Sequence, residues 1–384
     1  MTSEKSRVSE HFTVTAGKRA AREKCSCISY QVKSFGAVFD HKAVLRDRNM
    51  FAQISEKRKR KKKKKMKHVF IINPKSNSAS FTDKFRHCIE TLCEEKGLDY
   101  DIFLTAKSRD AENFAREVSD NGEQVRVYAC GGDGTVNEVV NGIFGHPNAE
   151  FAVIPIGTGN DFIRTFGDCR VFSDIAVAIE SEAVPIDAIR INDRICINIA
   201  NIGFDAAVVQ RVERLRKKRF VPKSVAYHLG VALCLIRFPK ETLKIAFDDG
   251  EATDFRFLLT LFANAQYYGG GYRSASLSRV DDGLMDVITV KDVKRRAFVR
   301  NVSAYQKGTL LGTPAAEKLL KYRRCGKAVL TKDTPFTVCY DGEMLSVTRS
   351  EIECLPRSVR FVLPKTADTK ALNCFSSSEE AAVR

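Results

Sequence analysis

The sequence lacks several patterns that would place it in common protein classes. Its 12 cysteines include no CxxC pair and its 6 histidines show no metal-ligand spacing, which argues against a zinc module or a disulfide scaffold. The longest apolar stretch, 225–238, is interrupted by His228 and Arg237 and is shorter than the roughly 20 residues of a membrane-spanning helix. The first residues do not read as a signal peptide. We therefore expect a reduced, cytoplasmic chain.

Two nucleotide-binding fingerprints are also absent. No GxxxxGK[ST] stretch, which marks P-loop enzymes, occurs in the chain, and the segment GGDGTV (131–136) does not fit the GxGxxG pattern of dinucleotide-binding proteins. These absences exclude two fingerprints without excluding a phosphate-binding function.

The net charge of +16 is distributed very unevenly. Residues 1–65 contain 19 Lys/Arg and 6 Asp/Glu, which leaves 44 and 41 for the remaining 319 residues. The body of the protein is therefore nearly neutral, and its charge identifies no partner. A nucleic-acid partner would depend wholly on residues 1–65, so we expect none.

The lysine-rich run KRKRKKKKK (57–65) ends directly before Met66. It can act as a nuclear address or as a tail for anionic membranes, or it can be a solvated disordered run. A ribosome-binding site translated by mistake would also encode Lys, Arg and Glu before a methionine. We favour this third interpretation, in which 1–65 is a disordered basic extension from a mis-assigned start and the native chain begins at Met66.

Residues 66–187 alternate between strand and helix patterns. Apolar runs and strand-forming residues predict strands at 68–74, 99–105, 124–130 and 151–157, and helical spacing predicts helices at 82–97, 109–122 and 135–145. This β-α-β-α-β-α-β order is typical of a parallel sheet with helices on both faces. We therefore predict a three-layer α/β domain.

The pattern changes near Asp187, and 188–350 predicts a mainly antiparallel, β-rich second domain. Short apolar strands alternate with turns, and Asp-Gly in FDDGEATDF (247–255) predicts a hairpin. Helices are predicted at about 205–219, 224–237 and 294–306.

The C-terminal segment carries two further predictions. A strand at 358–364, within the segment 351–364, is expected to return to the first domain, and 365–384 is expected to be a flexible tail.

Two glycine-rich turns follow predicted strands, GGDGTVNEVVNG (131–142) and PIGTGNDF (155–162). Glycines let the backbone approach a ligand, and the helix that begins in the first turn directs free N–H groups at a phosphate. Asp133 would repel a bare phosphate, so it suggests a Mg²⁺ ion or a hydroxyl proton at this position. A third polar loop, NPKSNS (73–78), follows another strand, and three such loops at one sheet edge favour a ligand site over ordinary tight turns.

With these motifs the chain resembles the diacylglycerol kinase catalytic-domain family, which includes bacterial lipid kinases, sphingosine kinases and ceramide kinases. The resemblance covers nearly all of 66–364 and includes IDAIRIN…NIANIGFDAAV, YYGGGY…DDGLMDV and YDGE. It implies a NAD-kinase-like α/β nucleotide domain followed by a β-rich domain, with ATP between them. The implied reaction is phosphorylation of a lipid alcohol, above all of diacylglycerol to phosphatidic acid, with Mg²⁺.

The resemblance also implies site residues. The ATP site would comprise Asn73, Ser76, Thr105, Gly132, Asp133, Gly134, Thr135, Asn137, Glu138, Thr158, Asn160 and Asp161. Glu343 matches the proposed proton acceptor of bacterial members, whereas sphingosine-kinase-like logic favours Asp133. We rank Glu343 slightly ahead, with Asp133 organising Mg²⁺–ATP, although DGE can also be a plain hairpin tip like the DDGE at 248–251. Asn77 stands where glycine is usual and is tolerated in a left-handed turn.

A second Mg²⁺ site is implied at Asp282, completed by the carbonyls of Arg279 and Leu284. Asp282 can equally be a turn residue before Gly283. The basic run 211–224 can be a solvated helix end or can dock on an anionic membrane.

The expected partners are a membrane lipid substrate, an anionic inner membrane surface that the cytoplasmic protein contacts peripherally, and a second copy paired through exposed strand edges of the second domain. Two other functions stay open: a NAD-kinase-like enzyme and a non-catalytic nucleotide-binding regulator of the same fold. The intact YDGE and PIGTGNDF motifs favour the lipid kinase over both.

Overall fold

The computed structural model describes residues 66–76, 78–216, 229 and 233–372. Four predictions therefore lie wholly or mainly outside the described residues. These are the basic extension at 1–65, the tolerance of Asn77, most of the helix at 224–237 and the end of the tail at 373–384.

Parallel strands and helices form the first domain. The strands are β1 (Lys67–Ile72), β2 (Asp99–Leu104), β3 (Val125–Gly131) and β4 (Ala149–Pro155), and the helices are α1 (Ala79–Glu95), α2 (Asp110–Asp120), α3 (Asp133–Ile143) and the short α4 (Asp161–Arg164) and α5 (Ile175–Glu180). The strands pair in the order β2-β1-β3-β4, all parallel. The carboxyl ends of all four strands therefore meet at one edge of the sheet.

Both faces of this sheet are covered. Alternate residues of β1 belong to two different cores: Val69 and Ile71 pack with residues of α2 and α3, and Phe70 and Ile72 pack with residues of α1. Because successive strand residues point to opposite faces, a strand that is apolar throughout requires a layer on each side. Burying each of these side chains contributes about 1.5–3 kcal/mol. The predicted three-layer α/β arrangement is confirmed.

Helix α1 begins three residues before its predicted start. Ser78 caps it, and its side chain accepts a hydrogen bond from the Phe81 N–H at 3.3 Å. Thr82, taken from the sequence as the first residue, instead lies buried in the first turns and donates its hydroxyl to the Ser78 carbonyl. A serine N-cap satisfies N–H groups that the helix leaves free.

The second domain is dominated by antiparallel strands. They are β5 (Glu182–Ile191), β6 (Arg194–Cys196), β7 (Ile199–Gly203), β8 (Glu241–Phe247), β9 (Thr253–Ala263), β10 (Met285–Lys291), β11 (Leu320–Cys325), β12 (Lys327–Tyr340) and β13 (Glu343–Leu363), with helices α6 (Phe204–Arg216), α7 (Arg295–Gln306) and α8 (Pro314–Leu319). The sheet order is β11-β10-β9-β7-β12-β13, with β8 against β12 and β9, and β5 between β13 and β6. The β-rich second domain is confirmed.

Two strands differ from prediction. β11 was missed because its sequence, LKYRRC, is charged on both faces, with only its end residues buried. Pro335 divides the sequence of β12 into two segments, 327–333 and from Phe336 onward, which the pattern alone predicts as two separate strands. The strand instead continues, with a register shift between Thr331 and Phe336, and an irregularity of this kind is where a strand tolerates proline.

Strand β13 connects the two domains. It pairs antiparallel with β12 and β5 and, at Phe361 opposite Phe151, parallel with β4. The prediction of a flexible tail was wrong for 365–372. Leu372 is fully buried in the first-domain core and the Ala371 carbonyl accepts from the Val280 N–H at 3.1 Å, so apolar burial holds the segment.

Candidate active site

A cleft of about 660 Å³ lies at the carboxyl ends of the parallel strands. The predicted ATP residues that line it are Asn73, Ser76, Thr105, Gly132, Asp133, Gly134, Thr135, Glu138 and Thr158. Asp341, Gly342 and Glu343 line it from the second domain. The structure thus brings residues from the ends of four strands and from a distant hairpin into one concave site.

The first glycine turn is shaped by Thr135. A Cβ at Gly131 would lie 2.2 Å from Thr135 Oγ1, so only glycine fits there. Asn73 donates its side-chain N–H to the same Thr135 oxygen at 3.2 Å. No side chain caps the N-terminus of α3 at Gly132. Its first N–H groups and the positive end of the helix dipole are therefore available to a phosphate in the cleft.

The second glycine turn packs directly on the first. A Cβ at Gly157 would lie 2.4 Å from the Gly132 Cα, and the Gly157 N–H donates to the Gly131 carbonyl at 3.2 Å. Asp133 Oδ1 accepts from the Asp161 N–H at 2.7 Å. The two turns therefore form one unit that holds the Asp133 carboxylate at its centre.

Three predicted ATP residues do not line the cleft. Asn160 adopts a left-handed conformation, with φ of 53°, and donates to the Gly157 carbonyl at 3.0 Å, so it shapes the turn. Asp161 faces a second cavity, described below. Asn137 is buried and turned away from the cleft.

Asn137 instead connects helix α3 to the second domain. Its side-chain amide donates to the Ile195 carbonyl and to Asp341 Oδ2, each at 3.1 Å. The neighbouring Asn141 donates to the same Ile195 carbonyl at 2.8 Å and accepts from the Ile195 N–H at 2.9 Å. Asn137 therefore does not line the cleft as predicted, and it instead holds Asp341, which does line it.

Glu138 reaches the cleft wall but also caps another helix. Helix α2 begins after Arg109, which has φ of 67° and provides no side-chain cap. The Glu138 carboxylate accepts from the Arg109 N–H at 2.9 Å and from the Ala111 N–H at 3.2 Å. A carboxylate at a helix N-terminus is stabilising, so Glu138 fixes the start of α2, and its contact with ATP stays a prediction.

Two lysines of the cleft were missed in the sequence. Lys75 and Lys107 line it and are exposed, and Ser108 lies beside them. Each lysine falls two residues after a polar residue at a strand end, Asn73 or Thr105. That position was the available signal, but an exposed lysine in a loop carries no pattern of its own.

The YDGE turn is a hairpin tip that is also part of the site. Asp341 and Gly342 both have positive φ, 45° and 91°, as a two-residue type I′ turn requires. The Asp341 carboxylate accepts from Asn137, from the Ile197 N–H at 3.1 Å and from the Cys196 thiol at 3.1 Å. Burial, and to a smaller extent the charge of Asp133, raises the pKa of Asp341 above its ordinary value.

An inner cavity of about 210 Å³ adjoins the cleft. The two share Asp133, Asp341 and Gly342 in their linings. Asp161 lines the inner cavity, where its Oδ2 accepts from the Gly270 N–H at 2.8 Å and burial raises its pKa. The carboxylates of Asp133 and Asp341 therefore stand between a polar cleft and a second, smaller space.

Asp205, in the first turn of α6, lies on the far side of the inner cavity. It accepts a hydrogen bond from the Tyr268 hydroxyl, which is 3.2 Å from the Tyr305 hydroxyl. Burial raises the pKa of Asp205 to about 6, against a lowering effect of Tyr268. Asp205 was not predicted as a site residue, although it belongs to the GFDAAV motif at 203–208.

The predicted magnesium site at Asp282 is not supported by the contacts. Asp282 Oδ2 forms an ion pair with Arg324, and Oδ1 accepts from the Leu284 N–H at 3.1 Å. Burial raises the pKa of Asp282. Because an arginine already neutralises this carboxylate, these residues do not fit a cation as arranged, and among the described residues no cluster of three acidic, His or Cys side chains fits one. The roles of Arg279 and Leu284 stay predictions.

The site therefore has the parts that phosphoryl transfer requires. Backbone N–H groups and two lysines face the cleft, and a carboxylate stands where the cleft meets a second space. Charge neutralisation and positioning supply most of the catalysis in such reactions, and a carboxylate receives the alcohol proton. The fold and the site define a two-domain kinase whose nucleotide domain precedes a β-rich domain.

Comparisons with known proteins identify the family. A model of the diacylglycerol kinase catalytic domain matches residues 67–191, and a model of the YegS C-terminal NAD kinase beta sandwich-like domain matches 198–363. A protein of Alcanivorax borkumensis named "Probable lipid kinase YegS-like" is 30% identical over 276 residues, covering 70% of this chain and 89% of that protein. A protein of Bacillus subtilis named "Diacylglycerol kinase" is 27% identical, covering 77% and 95%.

The fold has solved counterparts as well. A diacylglycerol kinase structure from Bacillus anthracis matches with a TM-score of 0.57 and 22% identity, covering 78% of this chain and 97% of that one. The chain belongs to the diacylglycerol kinase catalytic-domain family. It is a lipid kinase of the bacterial type, and ATP is the phosphoryl donor that this family implies.

None of the helices in the described part of the chain combines the length and the apolar character that crossing a bilayer requires.

Proposed function

We propose that the protein transfers the γ-phosphoryl group of Mg²⁺–ATP to the hydroxyl of a membrane lipid, with diacylglycerol as the first acceptor and phosphatidic acid as its product. The observation that carries this proposal is the pair of adjoining spaces that share Asp133 and Asp341. One space suits a polyphosphate and the other a small polar headgroup.

The nucleotide would occupy the cleft. Its phosphates would lie at the N-terminus of α3, over Gly132 and Gly134, where a Cβ at Gly134 would meet nothing within 4 Å. Lys75 and Lys107 would neutralise phosphate charge from the first-domain loops. Mg²⁺ enters as part of the Mg²⁺–ATP substrate and would be met by Glu343, which lines the cleft.

Asp133 is the better candidate for the proton acceptor. A general base must reach the acceptor hydroxyl, and Asp133 borders both spaces whereas Glu343 lines only the cleft. As the lipid oxygen attacks the γ-phosphorus, its proton passes to Asp133 and the bond to the ADP oxygen breaks. On this ground we propose the order opposite to the one that the motifs suggested, in which Glu343 came first.

The lipid would be taken from a membrane surface. Helix α7 exposes two cations, Arg296 and Arg300, together with the apolar Val299. A second exposed pair, Ile236 and Arg237, is connected to α7 through a hydrogen bond from Arg295 to the Ile236 carbonyl. Each basic residue near an anionic surface contributes about 1 kcal/mol. We therefore propose peripheral contact at the cytoplasmic face of the inner membrane. The predicted basic run at 211–224 is described only up to residue 216.

A homodimer paired through strand edges is less favoured. β11, at the end of the described sheet order, carries Lys321, Arg323 and Arg324. Charged side chains along an edge strand oppose pairing with a second copy.

The test is transfer of label from γ-labelled ATP to lipid in mixed micelles containing diacylglycerol and Mg²⁺. We expect labelled phosphatidic acid with the wild-type protein and a loss of about 10²–10⁴-fold with Asp133→Asn, the usual contribution of general base catalysis. Asp99→Asn is the matched control, because Asp99 is exposed at the amino end of β2, away from the cleft. Its activity should equal wild type.

Other outcomes would select the alternatives. Phosphorylation of NAD without any labelled lipid would establish the NAD-kinase-like reading. ATP binding without transfer to any acceptor would establish a regulatory nucleotide-binding protein. Label in a different lipid would keep the mechanism and change the acceptor.

A further inference from the structure

The inner cavity is rich in hydrogen-bond acceptors. Its polar lining includes the side chains of Asp133, Asp161, Asn198, Asn201, Asp205 and Asp341. Its volume of about 210 Å³ is below the roughly 300–1,000 Å³ of sites that enclose drug-sized ligands. It therefore suits the headgroup of a lipid and leaves the acyl chains outside.

Three of these acceptors are buried and unpaired. Asn198 and Asn201 are 6% and 5% exposed, and the side-chain oxygen of each has no hydrogen-bond partner among the described residues. The same holds for Asp161 Oδ1, whose nearest cation, Arg164 Nε, is 3.7 Å away and so beyond hydrogen-bond distance. Buried acceptors are nearly always satisfied in native proteins, so these three call for donors from a ligand.

The cavity also has donors. The Tyr268 hydroxyl is committed to Asp205, and Tyr272 and the amide groups of Asn198 and Asn201 belong to the lining as well. Ile199, Val208 and Val209 are the apolar part of the wall. The unpaired asparagine oxygens accept only O–H or N–H groups, so a ligand that satisfies them must bring such donors.

Resting on the lipid-kinase function above, we propose that the inner cavity selects acceptor lipids that carry a second O–H or N–H donor on the carbon next to the reacting hydroxyl. Asn198 and Asn201 are the specificity-determining residues. The reacting hydroxyl gives its proton to Asp133, and the second donor pairs with the side-chain oxygens of these two asparagines. Diacylglycerol has a single hydroxyl, so it is accepted but leaves them unpaired.

The experiment compares three short-chain acceptors with the full chain and Mg²⁺–ATP. Dioctanoylglycerol offers no second donor, monooctanoylglycerol offers a hydroxyl and a 2-amino-1-alcohol of the sphingoid type offers an ammonium group. We expect kcat/KM at equal micellar mole fraction to be about tenfold or more higher with a second donor, because a site built to bind a polar group discriminates against ligands that lack it. The order of the last two acceptors identifies which donor is preferred.

Variants connect the preference to the cavity. In Asn198→Ala and Asn201→Ala the ratio of kcat/KM between monooctanoylglycerol and dioctanoylglycerol should fall toward one, while the KM for ATP stays the same. Asn113→Ala, at an exposed position of α2, should keep the wild-type ratio. Equal values for all three acceptors, or a preference that survives both cavity variants, would overturn the proposal.

A binding measurement separates this proposal from the catalytic one. Calorimetry with a non-hydrolysable ATP analogue present gives the affinity for monooctanoylglycerol and dioctanoylglycerol without any transfer. If no lipid is ever phosphorylated, the lipid-kinase function fails, and the affinity ratio still decides the selectivity. Equal affinities for the two lipids in wild type would refute the proposed selectivity. An affinity about tenfold higher for monooctanoylglycerol, lost in Asn201→Ala, would support it.

Discussion

Two hairpin turns of the second domain have nearly the same sequence, YDGE at 340–343 and DDGE at 248–251, but their aspartates make different contacts. In the first, Asp341 is held by Asn137, Ile197 and Cys196 and borders both cavities. In the second, Asp248 is exposed and its Oδ1 accepts from the backbone N–H groups of Gly326 and Lys327, at 2.9 and 3.0 Å. A carboxylate at a turn is therefore functional or structural according to what packs against it.

The largest expected effect on activity is that of replacing Asp341. Asp341→Ala removes the acceptor for three donors and releases the turn that separates the cleft from the inner cavity, so we expect activity to fall about 10²-fold or more. Leaving those donors unpaired should also cost about 1–3 kcal/mol of folding free energy. Labelled-lipid formation and thermal melting measure the two effects.

Asp248→Ala is the comparison change in the other hairpin, since Asp248 has a positive φ of 51° like that of Asp341, although Asp249 is the residue that matches Asp341 in the sequence. It should cost about 1 kcal/mol, the usual net value of such hydrogen bonds, and leave activity within twofold of wild type. If both variants lose activity in proportion to their stability, Asp341 has no special role and the contrast between the turns is wrong.

The glutamates that follow the turns give the next effect. Glu343 and Glu251 are both exposed, but only Glu343 lines the cleft. We expect Glu343→Gln to lower kcat/KM for Mg²⁺–ATP about tenfold by removing one charge near the metal and phosphates, and Glu251→Gln to leave it unchanged. A loss of 10³-fold or more in Glu343→Gln would instead return the role of general base to Glu343.

The contrast between buried and exposed carboxylates extends to stability. The pKa of Asp205 rises from an ordinary 3.8 to about 6 on folding, so the folded protein binds this proton more tightly than the unfolded chain. This tighter proton binding stabilises the folded protein fully below about pH 4, and the stabilisation is lost as the pH rises through about 6. The free energy of unfolding falls by at most about 3 kcal/mol over this range. The neighbouring Tyr268, Tyr305 and Cys339 have pKa values raised far above this window.

Asp205→Asn should therefore raise the melting temperature relative to wild type at pH 8 and not at pH 4. Asn keeps an oxygen that can accept from Tyr268. Asp248→Asn is the exposed control and should show no such pH-dependent gain. A melting temperature that is lower in Asp205→Asn at pH 8 would show that the charged form is favoured by contacts in the fold.

The smallest effect concerns backbone strain in the functional turn. Gly342 has φ of 91°, and a Cβ there meets no atom within 4 Å. Gly342→Ala should cost about 1–2 kcal/mol through the conformation alone. Gly134→Ala is the counterpart, since Gly134 has no positive φ and no neighbour for its Cβ. It should keep the melting temperature and raise the KM for ATP.

The first domain could be predicted from sequence patterns because β1, β3 and β4 are mainly apolar and buried and its long helices are amphipathic. Sequence patterns could not separate the two Asp-Gly turns, since that depends on β12 pairing with β7, which brings Asp341 beside Ile197 and Cys196. Such a pairing joins residues about 140 positions apart, so the residues around either turn do not predict it.

The same limit applies within one motif. Asn137 and Glu138 are adjacent in GGDGTVNEVVNG, but successive helical residues point about 100° apart. Asn137 therefore faces the second domain, and Glu138 faces the cleft wall and the start of α2.

Residues 365–372 were wrongly predicted to be flexible because the segment has few apolar side chains, yet Leu372 is fully buried.

The most direct test of the account is the stoichiometry of the reaction. ADP and phosphorylated lipid would be measured together in mixed micelles of diacylglycerol and Mg²⁺–ATP, with wild type and Asp341→Ala side by side. We expect one lipid phosphate for each ADP with wild type and a joint loss of both products in the variant. ADP formed without lipid phosphate, or an Asp341→Ala protein as active as wild type, would show that the proposed lipid phosphorylation at this site is wrong.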